Sequence, residues 1–198
     1  MELKTVALVI TDISGYSQFV KFHKTSLLHA EEIISQLLEA VIDKADYPLT
    51  LNKLEGDAAL LYAELGSAEE AGVRDVVRQV QTFFTAFRAK IQDLSNCRTK
   101  CQCDACQQIL DLRLKAILHK GEVAFKKIRQ FDELAGQEVI LAHRLLKNTI
   151  PSHEYILMTE PVYVLIGESL KTQEELREEH YTGLDPVRIK VFYPAVGG

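Results

Sequence analysis

The sequence predicts an α+β fold, in which helices pack on a mostly antiparallel sheet. Residues 49–62 alternate apolar with polar or small side chains around Glu-Gly-Asp, a pattern typical of a β-hairpin. Residues 69–94 place apolar side chains on one broad face, which predicts a long amphipathic helix. Residues 110–118 alternate again, as a half-buried strand does. Since no repeat, low-complexity tract or linker interrupts residues 1–198, we expect one domain.

The other elements of the first half are predicted from shorter signals. An apolar run at residues 6–10 predicts a buried strand that ends at Thr-Asp-Ile-Ser-Gly. Helical spacing predicts helices at residues 16–24 and 26–44, and Pro48 then marks the entry to the hairpin. After the long helix, residues 96–108 break the periodicity and form a polar loop that contains every cysteine.

The second half of the chain alternates strands with helices. After the strand at 110–118, His-Lys-Gly-Glu precedes a second short strand from Val123. We further predict a helix at residues 137–147 and a short helix that begins at Pro161, whose missing N–H is tolerated in a first turn. The remaining segments are a connection at 132–136, strands at 155–158 and 187–193, and a solvated charged connection at 171–179.

The composition is that of an ordinary globular protein, with 47% hydrophobic and 26% charged residues. The net charge of -5 gives no general attraction for nucleic acid or for an anionic membrane, so we expect neither as a partner. The apolar run near the N-terminus is too short for a signal peptide and is interrupted by Asp12. No apolar stretch approaches the roughly 20 residues that span a bilayer. We therefore expect a cytoplasmic protein.

Two aspartates stand where strands end or turn. Asp12 follows the first apolar strand, and Asp57 lies in the turn of the hairpin. If that strand pairs beside the hairpin, the backbones lie about 4.8 Å apart and the two carboxylates can converge. Oxygen donors that converge beside open space suit Mg²⁺ that also binds phosphate oxygens. Taken singly, each aspartate is equally compatible with ordinary turn chemistry.

Four segments resemble, in the same order, the motif series of class III adenylate and guanylate cyclase catalytic domains. They are TDISGYSQF from Thr11, KLEGDAALL from Lys53, ILHKGEV from Ile117 and AGQEVILAHRLL from Ala135. HEYILMTE then resembles the next strand of that family. Each segment alone is a weak signal, whereas the ordered set is fairly specific. The resemblance implies a cyclase-like sandwich with a ferredoxin-like βααββαβ core, and it implies a homodimer.

The resemblance also implies roles for individual residues. Asp12 and Asp57 match the ligands of two Mg²⁺ or Mn²⁺ ions, and the backbone carbonyl of Ile13 is an additional ligand by the same resemblance. Lys53 and Glu133 stand at the positions that read adenine in the ATP-specific members, with Glu133 in place of an aspartate. The expected nucleotide is therefore ATP.

The catalytic groups of the family are only partly present. Arg144 matches the arginine that carries charge developing on the phosphates, but Ile140 stands where an asparagine is expected. Thr182 stands where a lysine is expected to contact the triphosphate. An isoleucine cannot hydrogen-bond a ribose oxygen, and losing one positioned donor costs on the order of 100-fold in rate. His119 and His143 are expected to be structural, the latter on the helix surface or at a dimer contact.

These matches and departures support two hypotheses. The first is a cyclase-like domain that binds metal-ATP and converts it to cyclic AMP and pyrophosphate weakly or not at all. The second is a catalytically inactive regulatory or interaction module that is stabilised by a metal at the cysteines and acts through an unknown protein partner.

All four cysteines fall within ten residues, at Cys97, Cys101, Cys103 and Cys106. In a cytosolic protein, clustered thiolates indicate a metal more often than disulfides. Four thiolates can close a tetrahedral Zn²⁺ site, which would hold this loop between the long helix and the next strand. An iron–sulfur cluster and free or redox-active thiols are the alternatives, although the spacing matches no common ferredoxin run.

Overall fold

The computed structural model describes residues 1–19, 24–97, 101–167, 170 and 173–194, and it confirms the α+β fold. Eight strands in the described part form one sheet, and helices cover both of its faces. The strands are β1 (Glu2–Ser14), β2 (Thr50–Glu55), β3 (Ala58–Glu64), β4 (Arg113–Ile128), β5 (Phe131–Ala135), β6 (Tyr155–Thr159), β7 (Gln173–Glu179) and β8 (Val187–Tyr193). The helices are α1 (Tyr16–Phe19), α2 (Lys24–Ile42), α3 (Glu69–Cys97), α4 (Asp104–Gln107), α5 (Gln137–Arg144) and α6 (Glu160–Ile166).

The sheet has the order β2-β3-β1-β4-β6-β8-β7, and β5 pairs with β4 outside this path. Only the β4–β6 pair is parallel among the described pairings. β1 lies inside the sheet, between β3 and β4, and its apolar run is buried because both faces of the sheet are covered there. The register places Asp12 of β1 directly opposite Ala58 of β3 and Lys115 of β4. The sheet therefore sets a carboxylate beside the hairpin turn, as the sequence predicts.

Each face of the sheet has its own core. On one face, α2 and α3 pack against alternate residues of β1, such as Val9, and all the apolar positions predicted for α3 are buried. On the other face, α5 packs against Leu8 and Ile10. Since successive side chains of a strand point to opposite faces, Asp12 lies on the α5 face. None of the described helices is both long enough and apolar enough to cross a membrane.

Two sequence predictions for the region around β4 are wrong. Residues 113–128 form one continuous strand, so the break expected after residue 118 is absent, and residues 131–135 form a strand instead of a connection. Position 121 of β4 favours glycine, because a Cβ there would lie 2.5 Å from the Glu138 side chain of α5. A glycine that lets a helix approach a strand closely can thus look, in the sequence, like the end of that strand.

The charged segment predicted as a connection also forms a strand. Residues 173–179 are β7, which pairs with β8 at the edge of the sheet, whereas residues 171–172 lie outside the described part. Charged side chains are common on edge strands, so the composition masks the strand. The predicted helix at 16–24 is described only as α1 and the start of α2, because residues 20–23 lie outside the described part. The predicted loop at 96–108 contains α4 and is followed by a 3-10 turn at Ile109–Asp111.

Candidate metal and nucleotide site

The two aspartates line one cavity of about 550 Å³, which we call the aspartate cavity. Asp12 reaches it from β1, and Asp57 reaches it from the turn between β2 and β3. Gly56 permits this turn because its φ is 67°, a left-handed conformation that favours glycine. The N–H of Ile13 donates a hydrogen bond to the carbonyl oxygen of Asp57 at 3.2 Å, which fixes the turn against β1. Ile13 also lines the cavity.

The electrostatics of the aspartate cavity leave negative charge incompletely compensated. The pKa of Asp57 is raised to about 6, mainly by burial and next by the neighbouring charge of Asp12. Lys115 opposes this effect, and its Nζ lies 2.9 Å from Oδ2 of Asp12. A divalent cation bound between the two carboxylates would favour the ionised form of Asp57, because it supplies the opposite charge.

Lys115 is a site residue that the sequence did not reveal. It lies in the alternating segment predicted as a strand, but its position opposite Asp12 depends on the register between β1 and β4. No local motif encodes that register. Tyr16 is a second such residue, since it lines the aspartate cavity and donates a hydrogen bond from its hydroxyl to Glu31 of α2 at 2.9 Å.

The predicted adenine-reading residues come together at a different place. Nζ of Lys53, on β2, lies 3.0 Å from Glu55 Oε1 and 3.6 Å from Glu133 Oε2 of β5. The Glu55 contact is the main cause that raises the pKa of Lys53. Asn52 Nδ2 also donates to the carbonyl of Asp132 at 3.2 Å, so the two strands are joined beside this pair. Neither Lys53 nor Glu133 lines the aspartate cavity.

Helix α5 carries Arg144 and Ile140, the two residues to which the sequence resemblance gives positions in a catalytic helix. Arg144 Nη1 donates to the carbonyl oxygen of Thr182 at 2.7 Å. Ile140 is 54% exposed, so its side chain is not required by the core. His143 hydrogen-bonds to the Val139 carbonyl at 2.8 Å and, through Nε2, to Glu55 at 2.9 Å. These contacts connect α5 to the strand that carries Lys53.

His119 is buried on the α5 face of the sheet. Its Nδ1 lies 2.8 Å from Thr159 Oγ1 and its Nε2 lies 2.6 Å from Glu138 Oε2. Burial lowers the pKa of His119, and Glu138 partly opposes that effect. The histidine links β4, β6 and α5 and does not line the aspartate cavity.

The cysteines form a second group, and its membership differs from the sequence prediction. Cys101, Cys103 and Cys106 lie together with His29 of α2, and the potential ligand atoms are all within 4.8 Å of one another. We call these four residues the Cys/His cluster. Cys97 is outside the cluster, at the exposed C-terminal end of α3. Spacing could not reveal His29, because it is 72 residues from Cys101 and only the packing of α2 brings it close.

The comparisons with known proteins identify a family. A family model described as "Protein of unknown function (DUF2652)" matches residues 34–155. The chain belongs to this family. One relative of this DUF2652 chain is the uncharacterized protein Rv2561/Rv2562 of Mycobacterium tuberculosis (strain ATCC 25618 / H37Rv), which is 41% identical over 138 residues. That match covers 70% of this chain and 62% of the relative, so it spans less than two thirds of the relative's length.

Solved structures with the same fold as this DUF2652 chain are nucleotide cyclases. The adenylyl cyclase CyaB from P. aeruginosa superposes with a TM-score of 0.72 at 18% identity, over 98% of this chain and 96% of that one. The guanylyl cyclase Cya2 gives a TM-score of 0.71 at 15% identity, over 96% and 92%. The guanylate cyclase domain of RhGC from Catenaria anguillulae, in complex with GTP, gives 0.64 at 14% identity, over 98% and 99%. The resemblance seen in the sequence is therefore confirmed for the fold.

Proposed function

We propose that this DUF2652 chain is a single cyclase-like domain that binds a divalent metal ion together with ATP, and that it converts ATP to cyclic AMP slowly or not at all. The observation that supports this most is the joint position of Asp12 and Asp57 in one open cavity. Burial and, next to it, the charge of Asp12 raise the pKa of Asp57, and a bound cation would offset both effects.

The residues present fit Mg²⁺ or Mn²⁺. Asp12 and Asp57 would hold the metal, with the backbone carbonyl of Ile13 as an additional ligand, because hard cations prefer oxygen donors. When bound, such a metal stabilises charge on phosphate oxygens and favours ionisation of an attacking hydroxyl. Lys115 compensates part of the charge of Asp12 in the protein without metal.

The pairing of Lys53 with Glu133 supports adenine as the base. The Lys53 ammonium can donate to a ring nitrogen of adenine, and the Glu133 carboxylate can accept from the amino group. Their ion pair at 3.6 Å supports this proposal, because the two groups are close enough to reach one edge of a planar ring. Because this pair does not line the aspartate cavity, we propose that a second copy of the chain supplies it, so that each site of a homodimer uses both copies.

The surroundings of Arg144 support weak or absent turnover. Four residues earlier, the exposed side chain of Ile140 cannot donate or accept a hydrogen bond. Thr182, at the position of the expected lysine, contributes its backbone carbonyl to Arg144. A domain that keeps its metal ligands but lacks these donors is suited to bind a nucleotide and to signal its presence to a partner.

Isothermal titration calorimetry with ATP and Mn²⁺ tests the binding proposal. We expect the wild-type chain to bind, and we expect Asp57→Asn to weaken binding at least about tenfold, since it removes one metal ligand. Asp111→Asn is the matched control, because Asp111 lines the same cavity but is not assigned as a ligand. Absence of binding by the wild-type chain, or an equal loss in both variants, would contradict the proposal.

A mixing experiment tests the shared site. Asp57→Asn and Lys53→Ala each remove a different half of the site, so each homodimer binds ATP only weakly when tested alone. An equal mixture that exchanges subunits restores one intact site in each heterodimer, or about a quarter of the wild-type sites. No recovery in a mixture shown to contain heterodimers would place both halves within one copy and overturn the shared site.

A further inference from the structure

We infer that the Cys/His cluster is a closed structural zinc site whose fourth ligand is His29. The inference concerns residues outside the aspartate cavity and does not depend on nucleotide binding. The cluster joins α2 to the segment that follows α3, and these two parts of the chain are far apart in the sequence.

The geometry of the cluster is close to that of a zinc tetrahedron. Bond lengths of about 2.3 Å for Zn–S and about 2.05 Å for Zn–N place two sulfurs about 3.8 Å apart and a sulfur about 3.6 Å from the nitrogen. The Sγ atoms of Cys101 and Cys103 are 3.5 Å apart. Nδ1 of His29 lies 3.4 Å from Cys103 Sγ and 3.7 Å from Cys101 Sγ. One ion can therefore contact these atoms with only small movements of the side chains.

The donor set selects the metal. Three thiolates and one imidazole form the Cys₃His set of closed structural zinc sites, and soft sulfur ligands disfavour Mg²⁺ and Ca²⁺. No two of the four cysteines form a disulfide with each other.

The position of the cluster gives the metal a structural role. Cys106 and Ala105 are buried in the core between α2, α3 and the sheet, although the helix that carries them has only one turn. A helix this short has little stability of its own. A metal held by His29 and these cysteines would fix this turn on α2, and metal binding at such a site contributes directly to folding.

The zinc site also adjoins the walls of the aspartate cavity. Gln108, Asp111 and Leu112, which follow Cys106, line the cavity. On the other side of the cluster, α2 carries Glu31, which accepts the hydrogen bond from Tyr16 of the cavity wall. Zinc would thus hold two segments whose relative position shapes the aspartate cavity.

The test is the metal content of the purified full-length chain, measured by inductively coupled plasma mass spectrometry after dialysis. We expect about one zinc per chain in the wild type and in Cys97→Ser, the matched control outside the cluster. We expect loss of zinc in His29→Ala and Cys103→Ser, and retention in His29→Cys, which replaces one zinc ligand by another. Retention in His29→Ala with loss in Cys97→Ser would restore the four-cysteine set and overturn the inference.

Cobalt substitution tests the site even if the cluster variants do not fold. Wild-type and Cys97→Ser chains loaded with Co²⁺ should show intense visible bands of tetrahedral cobalt and thiolate charge-transfer bands in the near ultraviolet. No zinc and no such bands in the wild-type chain would overturn the inference. Both readings are taken without ATP, so failure of the zinc site and failure of nucleotide binding are distinguished.

Discussion

The two candidate metal sites of this chain differ in the chemistry and in the completeness of their ligands. The aspartate cavity offers hard oxygen donors and leaves about 550 Å³ open beside them. The Cys/His cluster offers three sulfurs and one nitrogen within 4.8 Å of one another, which fill a tetrahedral shell by themselves. An open site can exchange its metal and admit phosphate oxygens, whereas a closed site holds its metal as part of the fold. The comparison indicates that one chain can separate a ligand-binding metal from a structural one.

The two sites also differ in the pKa values of their ligands before any metal binds. The pKa of Asp57 is raised to about 6, mainly by burial, so its ionised form gains from a cation. The pKa of Cys101 is lowered to about 7, mainly by hydrogen bonding to Cys103, so a substantial fraction of it is thiolate at neutral pH before metal binds. The ionised carboxylate of Asp57 is thus stabilised by a bound cation, whereas residues of the Cys/His cluster themselves favour ionisation of Cys101.

The largest expected effect comes from removing a ligand of the Cys/His cluster. Cys103→Ser should lower the free energy of unfolding by about 3 kcal/mol or more, because binding of structural zinc adds to folding stability. Chemical denaturation monitored by circular dichroism measures this change. Cys97→Ser, outside the cluster, should change it by less than about 0.5 kcal/mol. Equal stability of the two variants would contradict a structural metal at the cluster.

The next effect concerns turnover at the aspartate cavity. Ile140→Asn should raise the rate of cyclic AMP formation from Mn²⁺-ATP on the order of 100-fold, because it restores a hydrogen-bonding group on the face of Arg144. The product can be measured by liquid chromatography and mass spectrometry. Ile140→Ala removes the same apolar side chain without adding a donor and should leave the rate unchanged. A similar gain in both variants would mean that Ile140 acts through its bulk.

The smallest predicted effect is the pH dependence of metal binding at the aspartate cavity. Mn²⁺ affinity should fall about tenfold between pH 7 and pH 5, because protons compete for Asp57 around its raised pKa. In the metal-free protein the sign for stability is opposite. The folded pKa exceeds the ordinary value of 3.8, so Asp57 contributes stability that is present at low pH and lost as the pH rises through about 6.

Titrations of Mn²⁺ followed by electron paramagnetic resonance measure this affinity at each pH. Asp57→Asn should bind more weakly and should flatten the profile in this range. A profile of unchanged steepness in Asp57→Asn would assign the titration to another group.

Local signals in the sequence were sufficient to predict where the two aspartates stand relative to the strands, and to predict most of the fold. Asp57 was found because a glycine turn separates two alternating segments, and Asp12 because it follows an apolar run. The final strand at 187–193 was predicted with its observed bounds, since apolar and basic residues alternate from Val187 to Val191. These features depend on residues within one element, and sequence patterns report such features well.

Features set by packing between distant elements could not be predicted in the same way. Lys115 became part of the site through the register of β1 with β4, and His29 joined the cysteines through the packing of α2. Cys97 looked equivalent to the other cysteines by spacing, but the end of α3 holds it away from them. β7 was missed because its charged residues suit an edge strand and a connection equally well.

The most direct test of the proposed function is a crystal structure with Mn²⁺ and a non-hydrolysable ATP analogue. The account predicts anomalous density for Mn²⁺ at about 2.1 Å from carboxylate oxygens of Asp12 and Asp57. It also predicts the adenine ring against Lys53 and Glu133 of a second copy of the chain. Manganese bound elsewhere, or an aspartate cavity without metal at saturating Mn²⁺ and nucleotide, would contradict the account.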